Sequence, residues 1–364
     1  MSKIVSIGKA LPAYCHSQQD ILHFMQKVYA SNEVEARKLR FLYGQSGIDQ
    51  RYSVIPDYNR EVKDWKFYPQ TENLEPFPSL EKRMAVFNKQ APLLSVDAIR
   101  DCLGHQYDAK KITHLITVSC TGMSAPGLDL QLMELMDLPK TISRTSINFM
   151  GCYAAIHALK IADAICKADQ QAIVLIVCTE LCTLHFQREN TMDNIASSLL
   201  FGDGSAAVLV TGNAYPKKGL VLSSFYSEVI TKGKRDMAWE LSSSGFLMTL
   251  SGYIPDLIEE DFASIVDRAL EKTSNNKPVS HWCIHPGGKR ILDAIHKSLK
   301  FTNGQLAPSY AVLKEFGNLS SATILFVLQK MLLQGKPIEK MVAAGFGPGL
   351  TVELFTAHSD DFSE

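Results

Sequence analysis

No stretch of this 364-residue chain stays apolar for long. The densest run, Ala172–Cys178, falls far short of the roughly 20 residues that a membrane span needs. Neither sign of charge is in excess: 37 Lys and Arg against 38 Asp and Glu leave a net charge of −1. That balance argues against a dedicated nucleic-acid binder, whose hold on phosphate needs clustered cations. Cysteine is sparse. Eight thiols (Cys15, Cys102, Cys120, Cys152, Cys166, Cys178, Cys182 and Cys283) are too few for a disulfide scaffold in a chain of this length. Most are expected to be reduced, small buried hydrophobes in a cytoplasmic protein. Lys9 interrupts the N-terminal apolar segment, so no secretory leader is expected. Walker A, His-Glu-x-x-His, Gly-x-Ser-x-Gly and EF-hand patterns are all missing. What remains, 46% hydrophobic and 21% charged residues, is the composition of an ordinary globular protein with apolar surface enough to offset the entropy of folding.

Strand-like and helix-like segments alternate, which predicts an α/β fold. Strands are expected at Ile4–Ile7, His114–Ser119, Ala172–Val177, Ser205–Val210, Leu220–Tyr226 and His281–His285, with Met341–Gly345 and Leu350–Phe355 as a closing pair. Helical spacing marks Gln18–Ala30, Ala91–Leu103, Leu128–Met136, the alanine-rich run after Gly151, Pro255–Thr273, Lys289–Lys300 and Leu319–Gln334. Four prolines make Tyr52–Pro78 an irregular loop. Lys217-Lys218-Gly219 reads as a link between an N-terminal half, residues 1–218, and a C-terminal half, residues 219–364. The halves echo each other. Phe201-Gly-Asp-Gly204 and Phe346-Gly-Pro-Gly349 each precede an apolar strand, and Gly151-Cys152 and Gly317-Asn318 each precede a small-residue helix.

Three dispersed residues stand out. Cys152 follows a glycine and opens a helix, where free N–H groups and the helix dipole favour a thiolate; a structural cysteine is the alternative. His285 ends an apolar strand before Pro286-Gly287-Gly288, the kind of strand end where α/β sites sit; a satisfied core histidine is the alternative. Asn318 lies before an apolar helix, either as its cap or as an amide donor for a developing oxyanion. Cys, His and Asn together form a known nucleophilic arrangement. A metal site is not expected: His281, Cys283 and His285 share a strand face, but at about 6.6 Å spacing they are too far apart to share one ion. Arg37, Lys38 and Arg40 form a basic cluster placed after a helix, either a solvated face or a phosphate site. Asp360, Asp361 and Glu364 read as an acidic tail.

The motifs Met150-Gly-Cys152, Glu180-Leu-Cys-Thr-Leu-His-Phe186, Leu200-Phe-Gly-Asp-Gly-Ser-Ala-Ala207, Ile284-His-Pro-Gly-Gly288, Gly317-Asn-Leu-Ser320 and Gly345-Phe-Gly-Pro-Gly-Leu-Thr-Val-Glu353 occur in order along nearly the whole chain. The sequence thereby resembles the type III polyketide synthases, the chalcone and stilbene synthase-like enzymes of the thiolase superfamily, in a bacterial-type form. The resemblance implies a thiolase fold, layered αβαβα from two similar halves, in a homodimer. It implies a catalytic triad of Cys152, His285 and Asn318. It implies acyl-CoA and malonyl-CoA as substrates, no separate cofactor, no nucleic-acid partner and no membrane insertion. Phe201 matches a gatekeeping phenylalanine, while Met248 stands where plant enzymes carry a second one. Cys182 and His185 replace cavity threonines and Ser320 matches a cavity serine. Lys38 matches one lysine of a CoA-phosphate clamp whose other positions are here Phe41 and Gln45, with Arg40 as a substitute. Gly287 and Arg290 fall beside the expected pantetheine path.

The implied activity is decarboxylative condensation of malonyl-CoA onto an acyl group held by Cys152, then cyclisation to a pyrone, resorcinol or related aromatic product. A carrier-protein-dependent ketoacyl synthase III-like enzyme and an acyl-thioester hydrolase are the alternatives. Met248 and the small or sulfur-bearing cavity residues leave room for an aliphatic starter.

Overall fold

The computed structural model describes residues 1–273, 277–302 and 304–360; Asp361 and Glu364 of the acidic tail lie outside them. The chain begins with β1 (Ser2–Ala10), a short β2 (Tyr14–Ser17), helices α1 (Gln18–Tyr29) and α2 (Glu33–Gly44), and β3 (Gln50–Ser53), which pairs back on β2. Helix α3 (Leu80–Leu103) leads to β4 (His114–Ser119), α4 (Leu128–Leu135), β5 (Ser143–Asn148), α5 (Ala154–Ala168), β6 (Ile173–Leu181), α6 (Met192–Leu200) and β7 (Asp203–Gly212). Then come β8 (Leu220–Val229), the hairpin β9 (Met237–Ser242) and β10 (Gly245–Leu250), and α7 (Ile254–Glu271). The chain closes with β11 (His281–Ile284), α8 (Lys289–Ser298), α9 (Ala307–Phe316), α10 (Thr323–Leu332), β12 (Met341–Gly347) and β13 (Thr351–Ser359).

Among the described residues nine strands share one sheet, in the order β11-β12-β13-β8-β1-β7-β6-β4-β5. The duplication is visible in the pairing. From the middle outward, β1-β7-β6-β4 runs antiparallel, antiparallel, parallel, and β8-β13-β12-β11 repeats that pattern. The two sets meet where Ser2–Ile4 pairs with Leu220–Leu222. The echoing motifs therefore sit at equivalent places: Phe201-Gly-Asp-Gly204 leads into β7 as Phe346-Gly-Pro-Gly349 leads into β13.

Helices α5 and α10 are the buried pair. The face of α5 carries Ala154, Ala155, Ala158 and Ala162, all fully buried. Such small side chains let a helix lie close against strands on either side, and α5 touches β6 and β7 of one half and β13 of the other. In α10, Ile324, Leu325, Phe326, Val327 and Leu328 are all buried in the same core. The N-terminus of α1 is closed by a reciprocal capping box between Ser17 and Asp20.

Two local expectations are corrected and a third holds. Leu319–Gln334 is not one helix: a 3₁₀ turn, Ser320–Ala322, precedes α10, because Asn318 and Ser320 turn the chain before it can wind. The basic cluster lies inside α2 rather than after a helix; Asn32 caps that helix, a start that its weak apolar pattern hid. Tyr52–Pro78 is largely irregular, with two 3₁₀ turns. No helix among the described residues is long and apolar enough to cross a membrane.

Candidate active site

Between β5 and α5 the backbone makes two left-handed steps, Phe149 at φ 59° and Gly151 at φ 80°, and delivers Cys152 just before the helix start. A Cβ on Gly151 would sit 2.1 Å from Pro348 Cδ, and one on Gly347 would sit 2.5 Å from the Tyr153 ring. The Gly-Cys loop of one half and the Phe-Gly-Pro-Gly loop of the other are interlocked, and only glycine allows that approach.

His285 arrives at the end of β11, where its N–H donates to Ala344 O at 2.8 Å. Its ring is 1% exposed, and neither ring nitrogen has a hydrogen-bond partner. A buried imidazole with both nitrogens unpaired is costly unless it serves a ligand or a proton transfer. Asn318 is held from both sides. Its backbone bridges the Phe201 segment: the Gly202 N–H donates to Asn318 O and the Asn318 N–H to Leu200 O. Its side-chain Oδ1 accepts from the Ser320 N–H at 2.8 Å, and its Nδ2 donates to Gly287 O at 3.2 Å, two residues past His285. Cys152 Sγ lies 3.7 Å from Ser320 Oγ and 4.0 Å from Asn318 Oδ1. One Asn318 side chain thus faces the thiol with its oxygen and the His285 loop with its nitrogen.

All three residues line one cavity of about 1160 Å³, its open mouth included. Phe201, Met248, Cys182, His185, Ser320 and Gly287 line it too. Lys38 and Arg290 do not: both are exposed, Lys38 on α2 and Arg290 on the first turn of α8. Arg40 is engaged by Glu33.

The electrostatics correct one expectation. Burial pushes the Cys152 thiol up to about 12, outweighing the hydrogen bonds from Ser320 and Asn318, and the nearby Glu180 carboxyl acts in the same direction. Burial also pushes the His285 imidazole down to about 3. Desolvation penalises each charge, so burial works against both the thiolate and the imidazolium. A neutral imidazole on the same cavity has the chemistry of a base for the thiol proton. A His285→Ala variant removes the candidate base and leaves the effects of burial, Ser320, Asn318 and Glu180 on the thiol in place. Its alkylation by iodoacetamide between pH 6 and 9 is expected to be at least tenfold slower than in the parent, and still rising at pH 10. Superimposable pH profiles would remove His285 as the base.

His185 is wall rather than reagent. Its Nε2 bonds Thr121 O at 2.7 Å, its Nδ1 accepts from the Phe246 N–H at 3.1 Å, and its ring stacks on Phe246 at 4.1 Å. Burial keeps it neutral. Trp239 and Phe246, on the β9–β10 hairpin with Met248, complete that wall. Neither was found from sequence, although alternation on both sides of Ser242-Ser-Ser-Gly245 carries the hairpin signal. Glu180 was quoted in a motif but given no role. It is fully buried and accepts from the Cys120 N–H, Thr121 Oγ1 and Ser321 Oγ, tying the Cys120 loop to the turn that follows Asn318. No metal-holding cluster occurs among the described residues.

Family models for the N-terminal and C-terminal domains of chalcone and stilbene synthases match residues 1–214 and 221–360. The chain belongs to the chalcone and stilbene synthase family. Its fold is the thiolase fold of the type III polyketide synthases: it matches the crystal structure of PKS-I from the brown alga Ectocarpus siliculosus with a TM-score of 0.91 at 28% identity, over 98% of each chain. It matches the C-terminal type III polyketide synthase domain of Steely1, a type I/III hybrid from Dictyostelium, equally well, with 27% identity. A Bacillus subtilis (strain 168) protein named "Putative chalcone synthase" is 30% identical over 97% of this chain and 98% of its own length. The Dictyostelium discoideum "Probable polyketide synthase 1" is 29% identical, but this chain spans only 11% of that protein.

Proposed function

We propose that this protein is an acyltransferase that condenses CoA thioesters. It loads an acyl-CoA starter on Cys152, extends it with malonyl-CoA and cyclises the chain. The observation that carries the reading is the meeting of Cys152, His285 and Asn318 on one largely enclosed cavity in a chain of this family. In the first step Cys152 Sγ attacks the starter carbonyl, its proton passes to His285, and the CoA thiolate leaves and takes that proton. Malonyl-CoA then occupies the emptied arm. Its carboxylate departs as CO₂, the electron pair of the broken C–C bond becomes an enolate, and N–H donors from His285 and Asn318 stabilise the oxygen. The enolate carbon attacks the Cys152 thioester, the C–S bond breaks, and the chain on CoA is longer by two carbons. Phe201 and the apolar walls keep water from protonating the carbanion. Lys38, outside the cavity, is assigned to the CoA phosphates, and Gly287 and Arg290 to the pantetheine path.

Incubation with an acyl-CoA and isotopically labelled malonyl-CoA tests this reading. Extended, cyclised products carrying label are expected in the mass spectrum. Free starter acid alone would mean a hydrolase, and extension only from malonyl on a carrier protein would mean a ketoacyl synthase III-like enzyme.

A homodimer fits the sheet. Strand β5 is one of its two edges, and Ser143–Ser146 and Asn148 are exposed there, beside a crevice lined by Met123 and Pro126. An open edge invites pairing with another copy. Light scattering is expected to give twice the chain mass of 40.4 kDa; a monomer at micromolar concentration would refute the assignment. Eight free thiols suit a reducing, cytoplasmic compartment.

A further inference from the structure

Helix α6 ends at Leu200, just before Phe201, and the last carbonyls of a helix have no partner inside it. The carbonyls of residues 199–201 are each caught from outside. Gln18 Nε2 donates to Leu199 O at 2.9 Å, the Asn318 N–H to Leu200 O at 2.9 Å, and Arg51 Nη1 to Phe201 O at 2.6 Å. The two side chains are themselves joined, Arg51 Nε donating to Gln18 Oε1 at 2.9 Å. We propose that Arg51, braced by Gln18, is a positioning residue for Asn318: it fixes the end of α6 to which the Asn318 backbone is bonded, and with it the place of the oxyanion donor. The proposal rests on the condensing-enzyme reading above and adds a residue to its machinery.

Three observations carry it. First, Arg51 touches both flanks of the Phe201–Asn318 bridge. Its guanidinium holds Phe201 O, and its stem lies beside Gly317, where a Cβ would sit 2.8 Å from Arg51 Cδ. With φ 70° as well, the position before Asn318 is glycine both for its backbone and for the arginine packed on it. Second, the charge suits the place. No basic residue stands in the last turn of α6, and Arg51 brings a cation to that carbonyl end from β3. Third, the pairing of Arg51 is incomplete for a buried cation. It is 3% exposed, and its Nη2 has no hydrogen-bond partner. The Asp203 carboxyl attracts it, but the Asp203 oxygens accept from the Val54 N–H, the Thr183 N–H and Thr183 Oγ1. Replacing buried charge by apolar side chains of similar volume is often neutral or stabilising, so the gain from Arg51 lies in what it positions.

The test follows ¹³CO₂ release from labelled malonyl-CoA by the whole enzyme, with circular dichroism counting the folded protein. Arg51→Met keeps an unbranched stem and removes every donor. Its kcat is expected to fall by roughly ten- to a hundredfold with KM within about twofold of wild type, because a misplacement of about 1 Å slows chemistry without changing what binds. Asn318→Ala combined with Arg51→Met is expected to lie within about threefold of Asn318→Ala alone, since residues acting through one donor do not add. Arg51→Lys, with one donor group in place of the fork, is expected to fall between Arg51→Met and wild type, and it carries the test by the same criteria if the methionine variant does not fold. Multiplied effects in the double variant would overturn the proposal, as would a wild-type kcat in folded Arg51→Met. A raised KM at wild-type kcat would overturn it in favour of substrate contact through Nη2 and through the unpartnered Nδ1 of His16, the cross-strand neighbour of Arg51 on the cavity wall. No CO₂ from wild type would overturn both this proposal and the condensing-enzyme reading.

Discussion

A Cys152→Ala enzyme is expected to lose acyl loading and chain extension at least a thousandfold, yet to go on releasing CO₂ from malonyl-CoA. The split follows from the geometry. Sulfur is the atom that holds the starter, and no second side chain is placed to replace it: Cys182 is buried, with its thiol pushed well up by desolvation and by the Glu180 and Asp203 carboxyls. Cys120 is likewise pushed up, and its Sγ already accepts the Gly151 N–H at 3.0 Å. Decarboxylation, by contrast, asks only for donors around the thioester oxygen, which the proposed mechanism assigns to His285 and Asn318. Headspace ¹³CO₂ from labelled malonyl-CoA and the adduct mass on the protein measure the two halves separately. Full-length polyketide from the alanine variant would end the mechanism.

The complementary result is expected from Asn318→Ala. The proposed mechanism makes the Asn318 amide one of two oxyanion donors, and removing such a donor in a water-poor site costs about 2.7–4 kcal/mol, or roughly 10²–10³ in rate. Decarboxylation should fall by at least tenfold, while a single acyl loading on Cys152 falls less. Because Asn318 Oδ1 also receives the Ser320 N–H, the alanine variant leaves that donor unpaired, at about 1–3 kcal/mol of stability. An Asn318→Asp variant keeps the acceptor and removes the donor. If its decarboxylation equals that of wild type, Asn318 is a positioning residue for the turn at Ser320 and not part of the oxyanion site.

The sequence made the skeleton legible wherever local pattern and tertiary role coincide. β4, β6, β7 and β12 are near-continuous apolar runs because both their faces are covered, and runs of that kind bounded by glycine read as strands. Cys152, His285 and Asn318 each stand beside a glycine motif, and the structure brings all three to one cavity. What escaped was set by contacts distant in sequence. The β9–β10 hairpin is half exposed, so its alternation is diluted. Helix α2 has a polar sequence whose start is written in Asn32 and the Ser31–Glu35 bond rather than in apolar spacing. The electrostatics of Cys152 could not be read: the helix start is visible locally, but the burial that opposes a thiolate depends on segments far along the chain, such as the Pro348 loop packed on Gly151.

The interlocking of Gly151 with Pro348 and of Gly347 with Tyr153 gives the site an order of assembly. During synthesis the nucleophile leaves the ribosome long before the loop that seats it, and the first half can lay down β1, β4, β5, β6 and β7 with Cys152 still unplaced. The loop that carries Cys152 therefore reaches its final packing only when residues 346–349 dock against it.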